Sequence, residues 1–379
     1  MKIVVAMDSF KGSLGSLDAG QTLRRGILRG DPTAQVQVCP LADGGEGTTE
    51  ALTLGLGGQL RQIQVTGPLG APVTARYGIL PDGRTAVLEM AAAAGLPLVP
   101  PEQRSPLHTT TYGVGEMIRD AIGQGCRHFV IGIGGSATND GGLGMLQALG
   151  YDMRDDAGAP AAPGAGGLAR LAQIEDRGVL PALRDCTFRI ACDVDNPLCG
   201  PQVASAVFGP QKGADPALVE AMDGWLARFS RLAEARGYPA RPEEPGAGAA
   251  GGLGFAFRTF LGARLESGVG IVLEETRLAD RIREADLVVT GEGRLDAQTV
   301  MGKAPIGVAR LAKSLHKPVI AFSGCVTRDA GACNAAGIDA FFPILRFPQT
   351  AEQAMQPGEA RRNLEETAEQ VFRLIHTFQ

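Results

Sequence analysis

The fold is decided first by the run Lys2–Asp8, KIVVAMD. A continuous apolar run closed by a polar loop is typical of a strand buried on both faces of a parallel sheet. A helical pattern follows over Leu17–Arg29, then a second apolar run over Val36–Asp43, VQVCPLAD, and a short helical pattern over Thr48–Leu56. This βαβα order predicts right-handed crossovers and a parallel sheet.

The same alternation returns near the other end of the chain. Apolar runs occur over Asp286–Gly293, Pro318–Gly324 and Ala340–Leu345. Together with the two runs described above they make five strands, the number in a flavodoxin-like parallel sheet. We therefore predict an α/β protein in which residues 1–64 and 283–379 form a discontinuous flavodoxin-like domain.

The middle of the chain has a different pattern. Alternating apolar residues around the turn Pro81–Gly83 predict hairpin strands, and helical patterns and further apolar runs follow. We therefore predict that residues 65–282 form a second α/β domain inserted into the first. The length of 379 residues agrees with two domains, at roughly 150 residues per domain.

Composition excludes several classes of protein. The chain has 36 Lys and Arg against 41 Asp and Glu, and the net charge of −5 disfavours a general nucleic-acid binder. No run of about 18 apolar residues occurs, so we expect no membrane span. The seven cysteines form no CxxC pair, and the four histidines lack the spacing of a zinc site. We expect a cytoplasmic protein, a monomer or a homodimer, that binds neither nucleic acid nor membranes.

Six loops that combine glycine with acidic, basic or hydroxyl side chains follow the predicted strands. They are DSFKGS (8–13), LADGGEGT (41–48), GIGGSATNDGG (132–142), CDVDNPL (192–198), FGPQKGA (208–214) and TGEGRLDAQT (290–299). Ligands of open α/β sheets bind beyond the carboxyl ends of the strands, so these loops form the candidate site. Each loop taken alone is also typical of an ordinary turn or helix cap. Together they favour phosphoryl transfer, which needs positioned cations more than covalent chemistry.

Three of these loops carry a more specific chemical prediction. The small residues of Gly132–Gly142 let backbone N–H groups face an anion at the start of a helix. Asp193 and Asp195 are two residues apart on a predicted strand, so they would face one side and suit a hard cation. Lys212, between Gln211 and a glycine, is a candidate phosphate contact.

In this order, and together with PGAGAAGGLG (245–254) and GKAPIGVA (302–309), the motifs resemble the bacterial type I glycerate kinase family over essentially the whole chain. The resemblance implies ATP-dependent phosphorylation of D-glycerate to 2-phosphoglycerate or, alternatively, to 3-phosphoglycerate. It implies ATP and Mg²⁺ as the further requirements of the reaction. It also implies a flavodoxin-like domain interrupted by a second domain, with the site in the cleft between the two.

The motif residues can be given hypothetical roles in such a reaction. We expect Lys11 to act in catalysis by binding the substrate carboxylate, and Asp193 to accept the proton of the attacking hydroxyl, with Asp43 as the second candidate. The expected substrate-binding residues are Ser9, Lys11, Ser13, Asp43 and Glu46. The expected ATP-binding residues are Gly134, Gly135, Ser136, Thr138, Lys212 and Glu292. The expected metal ligands are Asp195, Asp140 and Glu292.

Two other classes of protein stay open at this point. Gly132, Gly134 and Ala137 nearly match the GxGxxG/A fingerprint, and Asp152 or Asp155 follows about 20 residues on, as in NAD(P)-dependent oxidoreductases of small hydroxy acids. Against that alternative, a dinucleotide loop should open the first βαβ unit of a domain, and this loop lies in mid-chain. A non-catalytic ligand-binding protein is the second alternative, because a fold does not determine function.

Overall fold

The computed structural model of the protein describes residues 1–200 and 204–378. The strands are β1 (Lys2–Met7), β2 (Gln35–Pro40), β3 (Gln59–Thr66), β4 (Pro72–Ile79), β5 (Thr85–Glu89), β6 (His128–Gly132), β7 (Asp152–Asp155), β8 (Leu171–Glu175), β9 (Thr187–Ala191), β10 (Arg264–Glu266), β11 (Leu287–Leu295), β12 (Val319–Val326) and β13 (Ala340–Pro343). The helices are α1 (Ser16–Gly30), α2 (Thr48–Gly55), α3 (Ala91–Ala94), α4 (Tyr112–Gly123), α5 (Leu143–Ala148), α6 (Ala165–Arg170), α7 (Ala204–Phe208), α8 (Pro216–Ala235), α9 (Ala249–Leu261), α10 (Gly268–Glu275), α11 (Leu278–Glu284), α12 (Ala304–Ser314), α13 (Ala332–Ala335), α14 (Ala351–Met355) and α15 (Pro357–Thr377). Within this described part of the chain, every helix is too short or too polar to cross a membrane.

The chain divides into two units, and the first comprises residues 1–43, 50–56 and 269–378. Its five strands form one sheet in the order β13-β12-β11-β1-β2, and all neighbouring pairs are parallel. Numbered within this unit from the other edge, the order is 2-1-3-4-5, which is the flavodoxin-like order. The predicted α/β class and the predicted flavodoxin-like sheet are confirmed, and we call this unit the flavodoxin-like unit.

The apolar run that opens the chain forms the central strand of this sheet because both of its faces are covered. Ile3, Val5 and Met7 are buried in a core that they share with residues of α1 and α15. Val4 and Ala6 point to the opposite face and are also buried, on the side where α11 and α12 pack against β1. A strand without an exposed face has no need of alternating polar residues, which explains the continuous apolar pattern.

The order of the strands places a topological switch point between β1 and β11. The chain moves from β1 to one edge strand, β2, and from β11 towards the opposite edge through β12. The crevice beyond the carboxyl ends of two such strands is the usual ligand site of an open α/β sheet. Asp8 follows β1, and Glu292 lies in the last part of β11, so acidic groups occupy this position.

The second unit comprises residues 44–49 and 57–268. Its main sheet has the order β10-β9-β6-β5-β4-β3, in which β3, β4 and β5 pair antiparallel and β5, β6, β9 and β10 pair parallel. The predicted hairpin turn around Pro81–Gly83 connects β4 to β5, closed by the hydrogen bond from Leu80 N–H to the Thr85 carbonyl at 2.9 Å. The carboxyl ends of the four parallel strands lie at one edge of this sheet.

The limits of the two units differ from the predicted domain limits of 65 and 282. Strand β3 begins at Gln59 and pairs with β4 along its whole length, so residues 59–64 belong to the second unit. Helices α10 and α11 belong to the flavodoxin-like unit, in which α11 packs against β1. The main segment of the second unit thus runs from 57 to 268 rather than from 65 to 282. A change in hydrophobic pattern therefore locates the limits of the units only to within about 14 residues.

Candidate active site

Four charged side chains interact at the carboxyl edge of the flavodoxin-like sheet, and we call Asp8, Lys11, Asp43 and Glu292 the Asp8 cluster. The side chain of Asp8 is almost completely buried, and its carboxylate accepts a hydrogen bond from the N–H of Ser9 at 2.7 Å. Burial raises the pKa of Asp8 to about 7, and the negative charges of Asp43 and Glu292 act in the same direction. Asp8 can therefore take up or release a proton near neutral pH.

Lys11 brings a positive charge to this cluster. Its Nζ atom lies 3.5 Å from the carboxylate of Asp43, and the side chain of Lys11 is 72% exposed whereas that of Asp43 is 29% exposed. Ser9 is half-buried in the same loop. The Ser13 hydroxyl is buried and has no hydrogen-bond partner in the described part of the chain. The structure thus places the predicted residues Ser9, Lys11, Ser13 and Asp43 in the flavodoxin-like unit, where an exposed ammonium group can bind a small anion.

Glu292 is held by groups of its own unit. Its carboxylate accepts a hydrogen bond from the hydroxyl of Thr299 at 2.9 Å and lies 3.4 Å from Nζ of Lys303. Lys303 is also 3.9 Å from the carboxylate of Asp296. Burial raises the pKa of Glu292. Lys303 lies directly before α12, so a positive charge and a helix amino end occur beside this carboxylate.

A second set of polar groups occurs at the carboxyl edge of the parallel strands in the second unit. The segment 44–49 packs there, because an added Cβ on Gly44 would lie 2.6 Å from Cβ of Ala191. The N–H of Thr49 donates a hydrogen bond to the carboxylate of Glu89 at 2.7 Å. Burial raises the pKa of Glu89. Glu46 is exposed on this segment, so Glu46 belongs to the second unit although it shares a sequence motif with Asp43.

The prediction that Asp193 and Asp195 lie on one face of a strand is wrong. Strand β9 ends at Ala191, so both residues lie in the loop that follows it. There the carboxylate of Asp193 accepts a hydrogen bond from the N–H of Gly268 at 3.1 Å. Both aspartates are exposed. They remain at the carboxyl edge of the sheet, but the regular alternation of a strand does not orient their side chains.

The glycine-rich loop after β6 combines an exposed start with a buried continuation. Gly134 and Gly135 are exposed, and the following residues from Ser136 to Asp140 are buried. Gly135 has a φ of +72°, which favours glycine. In the described part of the chain, the backbone N–H groups of Gly134, Gly135 and Ser136 donate no hydrogen bond to a protein acceptor. Consecutive N–H groups in such a turn are suited to bind an anion.

Asp140 does not fit the expected role of a metal ligand. It is fully buried, and its carboxylate accepts hydrogen bonds from the N–H and the hydroxyl of Thr111, both at 2.9 Å. The N–H groups of Gly142 and Gly144 donate to it at 3.0 and 3.2 Å. Burial raises the pKa of Asp140, while these donors oppose the shift. Because four protein donors occupy its oxygens, Asp140 organises the start of α5 and has no place in our proposal for metal binding.

Lys212 does not have the accessible position that its predicted contact with phosphate requires. Its side chain is only 2% exposed. Its Nζ atom donates hydrogen bonds to the hydroxyl of Ser136 at 2.7 Å and to the carbonyl of Thr138 at 2.6 Å. Burial lowers the pKa of Lys212 to about 7, and the charge of Asp140 opposes that shift. Lys212 therefore contacts the protein side of the glycine-rich loop.

The structure argues against a dinucleotide site at this loop. In a dinucleotide-binding unit the acid that binds the ribose ends the next parallel strand of the same sheet. Here the next strand, β7, carries Asp152 and Asp155 but pairs antiparallel with β8 in a separate two-stranded sheet. The βαβ unit that the fingerprint requires is not formed by this loop.

Two acids, the buried Asp8 and the half-buried Glu89, were not named as site residues from the sequence. Asp8 is the first residue after β1, and an acid at the carboxyl end of a central strand is the signal that could have identified it. Glu89 ends β5 inside the run LEMAAAAG and carries no comparable signal. Its position became apparent only through its hydrogen bond to Thr49, 40 residues away in sequence.

The donor groups at these edges suit a magnesium–nucleotide complex better than a closed metal site. Within residues 1–200 and 204–378, no group of three or more His, Cys, Asp or Glu side chains is arranged to hold a metal ion. Mg²⁺ bound with a nucleotide usually takes one or two carboxylates together with phosphate oxygens and water. The exposed carboxylate of Asp195 meets that requirement.

Comparison with known proteins gives a consistent result over the whole chain. A model of the Glycerate kinase family matches residues 3–376. Glycerate kinase of Bacillus subtilis (strain 168) is 49% identical over 372 residues, which cover 98% of this chain and 97% of that protein. Glycerate 2-kinase of Escherichia coli (strain K12) is 48% identical over 356 residues, which cover 94% of this chain and 93% of that protein. A crystal structure described as glycerate kinase 2 from Salmonella typhimurium LT2 matches with a TM-score of 0.92 at 46% identity, covering 100% of this chain and 99% of that one.

Proposed function

The chain belongs to the glycerate kinase family, and from this premise we propose that it transfers the terminal phosphoryl group of ATP to D-glycerate. The observation that carries the proposal is the family match over residues 3–376, at 49% identity to a relative named glycerate kinase. We propose 2-phosphoglycerate as the product because a relative named glycerate 2-kinase is 48% identical over 94% of this chain. Transfer to the other hydroxyl, giving 3-phosphoglycerate, is the alternative that the test below distinguishes.

The Asp8 cluster supports this proposal through its chemistry. D-glycerate is a small anion with two hydroxyl groups, so a site for it needs a cation and a hydrogen-bond acceptor. The exposed ammonium of Lys11 is our choice for the carboxylate, with the hydroxyls of Ser9 and Ser13 as donors. Lys11 is held 3.5 Å from Asp43, which limits the positions that the ammonium can take.

Three carboxylates are proposed to orient the attacking hydroxyl and accept its proton. Asp193 and Asp43 are the candidates from the sequence, and Asp8 is added because its buried carboxyl lies at the switch point of the flavodoxin-like sheet. The phosphoryl group is transferred through a loose transition state, so the acceptor mainly positions the hydroxyl. A carboxylate with a pKa near 7, such as Asp8, can still take the proton at neutral pH.

The groups proposed for ATP are the glycine-rich loop, Asp195 and Glu292. The N–H groups of Gly134, Gly135 and Ser136, which have no acceptor within the described part of the chain, would donate to phosphate oxygens, and the buried Thr138 stays a proposed residue of the same site. Mg²⁺, when bound with ATP, would neutralise charge on the phosphate oxygens. Asp195, which is exposed, and Glu292 are the proposed ligands of that ion. Glu46, on the segment beside Glu89, stays a proposed substrate contact.

The experiment that tests the function is a coupled assay with the purified protein, ATP, Mg²⁺ and D-glycerate, followed by phosphorus NMR of the product. Release of ADP that depends on D-glycerate is the expected result. The NMR spectrum then assigns the phosphate to position 2 or position 3. Absence of turnover with D-glycerate and related hydroxy acids, in a protein with a cooperative thermal transition, would contradict the proposal.

We also propose a cytoplasmic location. All seven cysteines are free thiols, which is the usual state in a reducing compartment. ATP is supplied by the same compartment. Fractionation of the source cells with an antibody against the chain would test this, and recovery in an extracellular or periplasmic fraction would contradict it.

A further inference from the structure

Three carbonyl groups of the glycine-rich loop, those of Gly135, Ala137 and Thr138, accept hydrogen bonds from other parts of the protein. The carbonyl of Gly135 accepts a hydrogen bond from the N–H of Leu96 at 2.8 Å, and that of Ala137 accepts one from the Thr109 hydroxyl at 2.8 Å. The carbonyl of Thr138 accepts one from Lys212 at 2.6 Å. Because the C=O and the N–H of one trans peptide point in opposite directions, the inward carbonyls of Gly135 and Ala137 turn the N–H groups of Ser136 and Thr138 outwards.

Lys212 is the one charged group among these donors, and it joins two points of the loop. It reaches the Ser136 hydroxyl and the Thr138 carbonyl from a position 76 and 74 residues, respectively, further along the chain. A buried ammonium group is costly, and buried charges are often replaced by apolar side chains of similar volume without loss of stability. Packing of the second unit alone therefore does not explain a lysine here.

We propose that Lys212 is a positioning residue that holds the loop of residues 134–138 in the conformation that binds the phosphates of ATP. This inference rests on the proposed function, because it takes that loop to be the phosphate site. Lys212 itself does not touch the nucleotide. Its ammonium group fixes Ser136 and Thr138, and the free N–H groups of Gly134, Gly135 and Ser136 make the contacts.

The burial of Lys212 distinguishes this role from direct phosphate binding. A lysine that contacts phosphate as a point charge must reach the ligand, whereas this side chain is 2% exposed. Loss of a hydrogen bond to a charged group commonly costs enough to weaken binding by about tenfold to hundredfold. In a positioning role that loss should appear in ATP affinity and leave the affinity for glycerate unchanged.

The test uses the full chain with Lys212→Met, Ser136→Ala and the double variant. Binding of a non-hydrolysable ATP analogue with Mg²⁺ is measured by calorimetry, and KM is measured for ATP and for D-glycerate. We expect each single variant to weaken analogue binding by about tenfold or more and to raise KM for ATP. We expect KM for D-glycerate to stay unchanged. We expect the double variant to bind the analogue about as weakly as Lys212→Met, because the hydrogen bond lost in Ser136→Ala is one of the two that Lys212→Met already removes.

Tyr77→Phe is the matched control in the same unit. It removes the hydrogen bond between the Tyr77 hydroxyl and Asp120, at 2.5 Å, which joins β4 to α4, and neither element contains a residue of the loop. Tyr77→Phe should lower Tm and leave analogue binding unchanged. If Lys212→Met lowers Tm in the same way and binds the analogue like the unaltered protein, the positioning role is overturned.

The remaining outcomes also decide the matter. Effects of Lys212→Met and Ser136→Ala that add in the double variant would indicate that Lys212 contacts phosphate independently, against our proposal. If Lys212→Met does not fold, Ser136→Ala alone carries the test, and unchanged analogue binding in it overturns the inference. If the unaltered protein binds the analogue but shows no turnover with D-glycerate, the proposed function fails while weaker binding by the variants still supports the role of Lys212. Absence of analogue binding by the unaltered protein would overturn both.

Discussion

Asp8 lies where the chain leaves the central strand of the flavodoxin-like sheet, and its environment has two consequences that can be measured separately. Its carboxyl group is buried beside two further carboxylates, so the neutral form is favoured up to a pH of about 7. The same burial that makes Asp8 a suitable proton acceptor must therefore reduce the stability of the folded chain when Asp8 ionises.

The first prediction concerns stability in the variant Asp8→Asn. The folded protein binds the Asp8 proton more tightly than the unfolded chain, whose carboxyl has a pKa of 3.8, so stability is lost as the pH rises from about 4 to about 7. The slope of this loss approaches about 1.4 kcal/mol per pH unit. The asparagine side chain cannot ionise, so the variant should have a higher Tm than the unaltered protein at pH 8 and a similar Tm at pH 4. Equal Tm values at pH 8 would show that burial of the Asp8 charge costs nothing.

The second prediction concerns the pH dependence of activity. If Asp8 accepts the proton of the attacking hydroxyl, kcat/KM should fall below pH 7 by about tenfold per pH unit, because protonation removes the acceptor. The variant Asp8→Asn should lose about 100-fold or more in kcat. A pH profile with no inflection between 6 and 8, in a protein that is fully folded, would assign this role to another group.

The third prediction compares the two acceptors expected from the sequence. Asp193→Asn removes a charge but keeps the shape of the side chain and its capacity to accept a hydrogen bond from Gly268. If Asp193 orients the hydroxyl, kcat should fall by about 100-fold or more with little change in Tm. Asp43→Asn should act mainly on KM for D-glycerate, through the loss of its ion pair with Lys11. A fully active Asp193→Asn would show that Asp193 is not the proton acceptor. The loss of kcat in Asp43→Asn would then decide whether Asp43 or Asp8 has this role.

The fourth prediction concerns Gly134. An added Cβ at this position meets no atom of residues 1–200 and 204–378 within 4 Å, and the backbone has no positive φ that would require glycine. Packing therefore tolerates Gly134→Ala, whereas a phosphate bound by the adjacent N–H groups would meet the new methyl group. We expect an unchanged Tm and weaker binding of a non-hydrolysable ATP analogue.

Gly224→Ala is the control for this substitution. Gly224 lies in the middle of α8, is exposed, and has the same open space around an added Cβ. Because alanine favours helix more than glycine does, this variant should gain about 0.5–1 kcal/mol in stability. Its binding of the ATP analogue should match that of the unaltered protein. Unchanged binding in Gly134→Ala as well would contradict a phosphate at the loop.

At the scale of whole elements, the close packing of α15 on α1 is the clearest feature of the flavodoxin-like unit. Gly26 and Gly30 are four residues apart on α1 and therefore lie on one face of that helix. An added Cβ on Gly26 would clash with the carbonyl oxygen of Glu365, and one on Gly30 would lie 2.9 Å from the N atom of Arg373. The absence of side chains at these two positions lets the two helix backbones approach each other.

The fifth prediction follows from this packing. Gly26→Ala forces the helices apart, so it should destabilise the protein by about 1–3 kcal/mol, the usual cost of overpacking. Gly358→Ala, in the first turn of α15, is the matched control because an added Cβ there meets no atom of the described residues within 4 Å. Urea unfolding of both variants measures the difference. Equal stability of the two variants would show that the helices can separate at no cost.

The end of β9 shows why an element can be predicted too long. The apolar residues Cys192 and Val194 continue the pattern of the strand, so the sequence favours a strand to Asp195. In the structure the partner strand β10 ends at Glu266. The last backbone hydrogen bond between the two strands runs from the N–H of Cys192 to the carbonyl of Glu266, at 2.9 Å. The next donor, Gly268 N–H, bonds to the Asp193 side chain, which ends the ladder.

At the scale of the whole molecule, bound ligands should stabilise the folded chain by mass action. A ligand that binds only the folded state at 100 times its Kd adds about 2.7 kcal/mol. We expect Tm to rise with D-glycerate and with ATP and Mg²⁺, each added separately, and to stay unchanged with NADH. A rise with NADH alone would contradict the assignment as a kinase. L-glycerate is the matched control for the stereochemistry of the substrate, and we expect it to have a smaller effect than D-glycerate.

Five parallel strands, a hairpin and the loops at the strand ends could be predicted because each depends on residues close together in sequence. Buried parallel strands need continuous apolar runs, and the loops need glycine where the backbone turns sharply, so local patterns contain this information. The roles of particular side chains could not be predicted in the same way. Lys212 and Asp140 look like ligands of phosphate and metal until Ser136 and Thr111, 76 and 29 residues away, are seen to bond to them. Burial, hydrogen-bond partners and the resulting pKa shifts arise from groups that only the folded chain brings together.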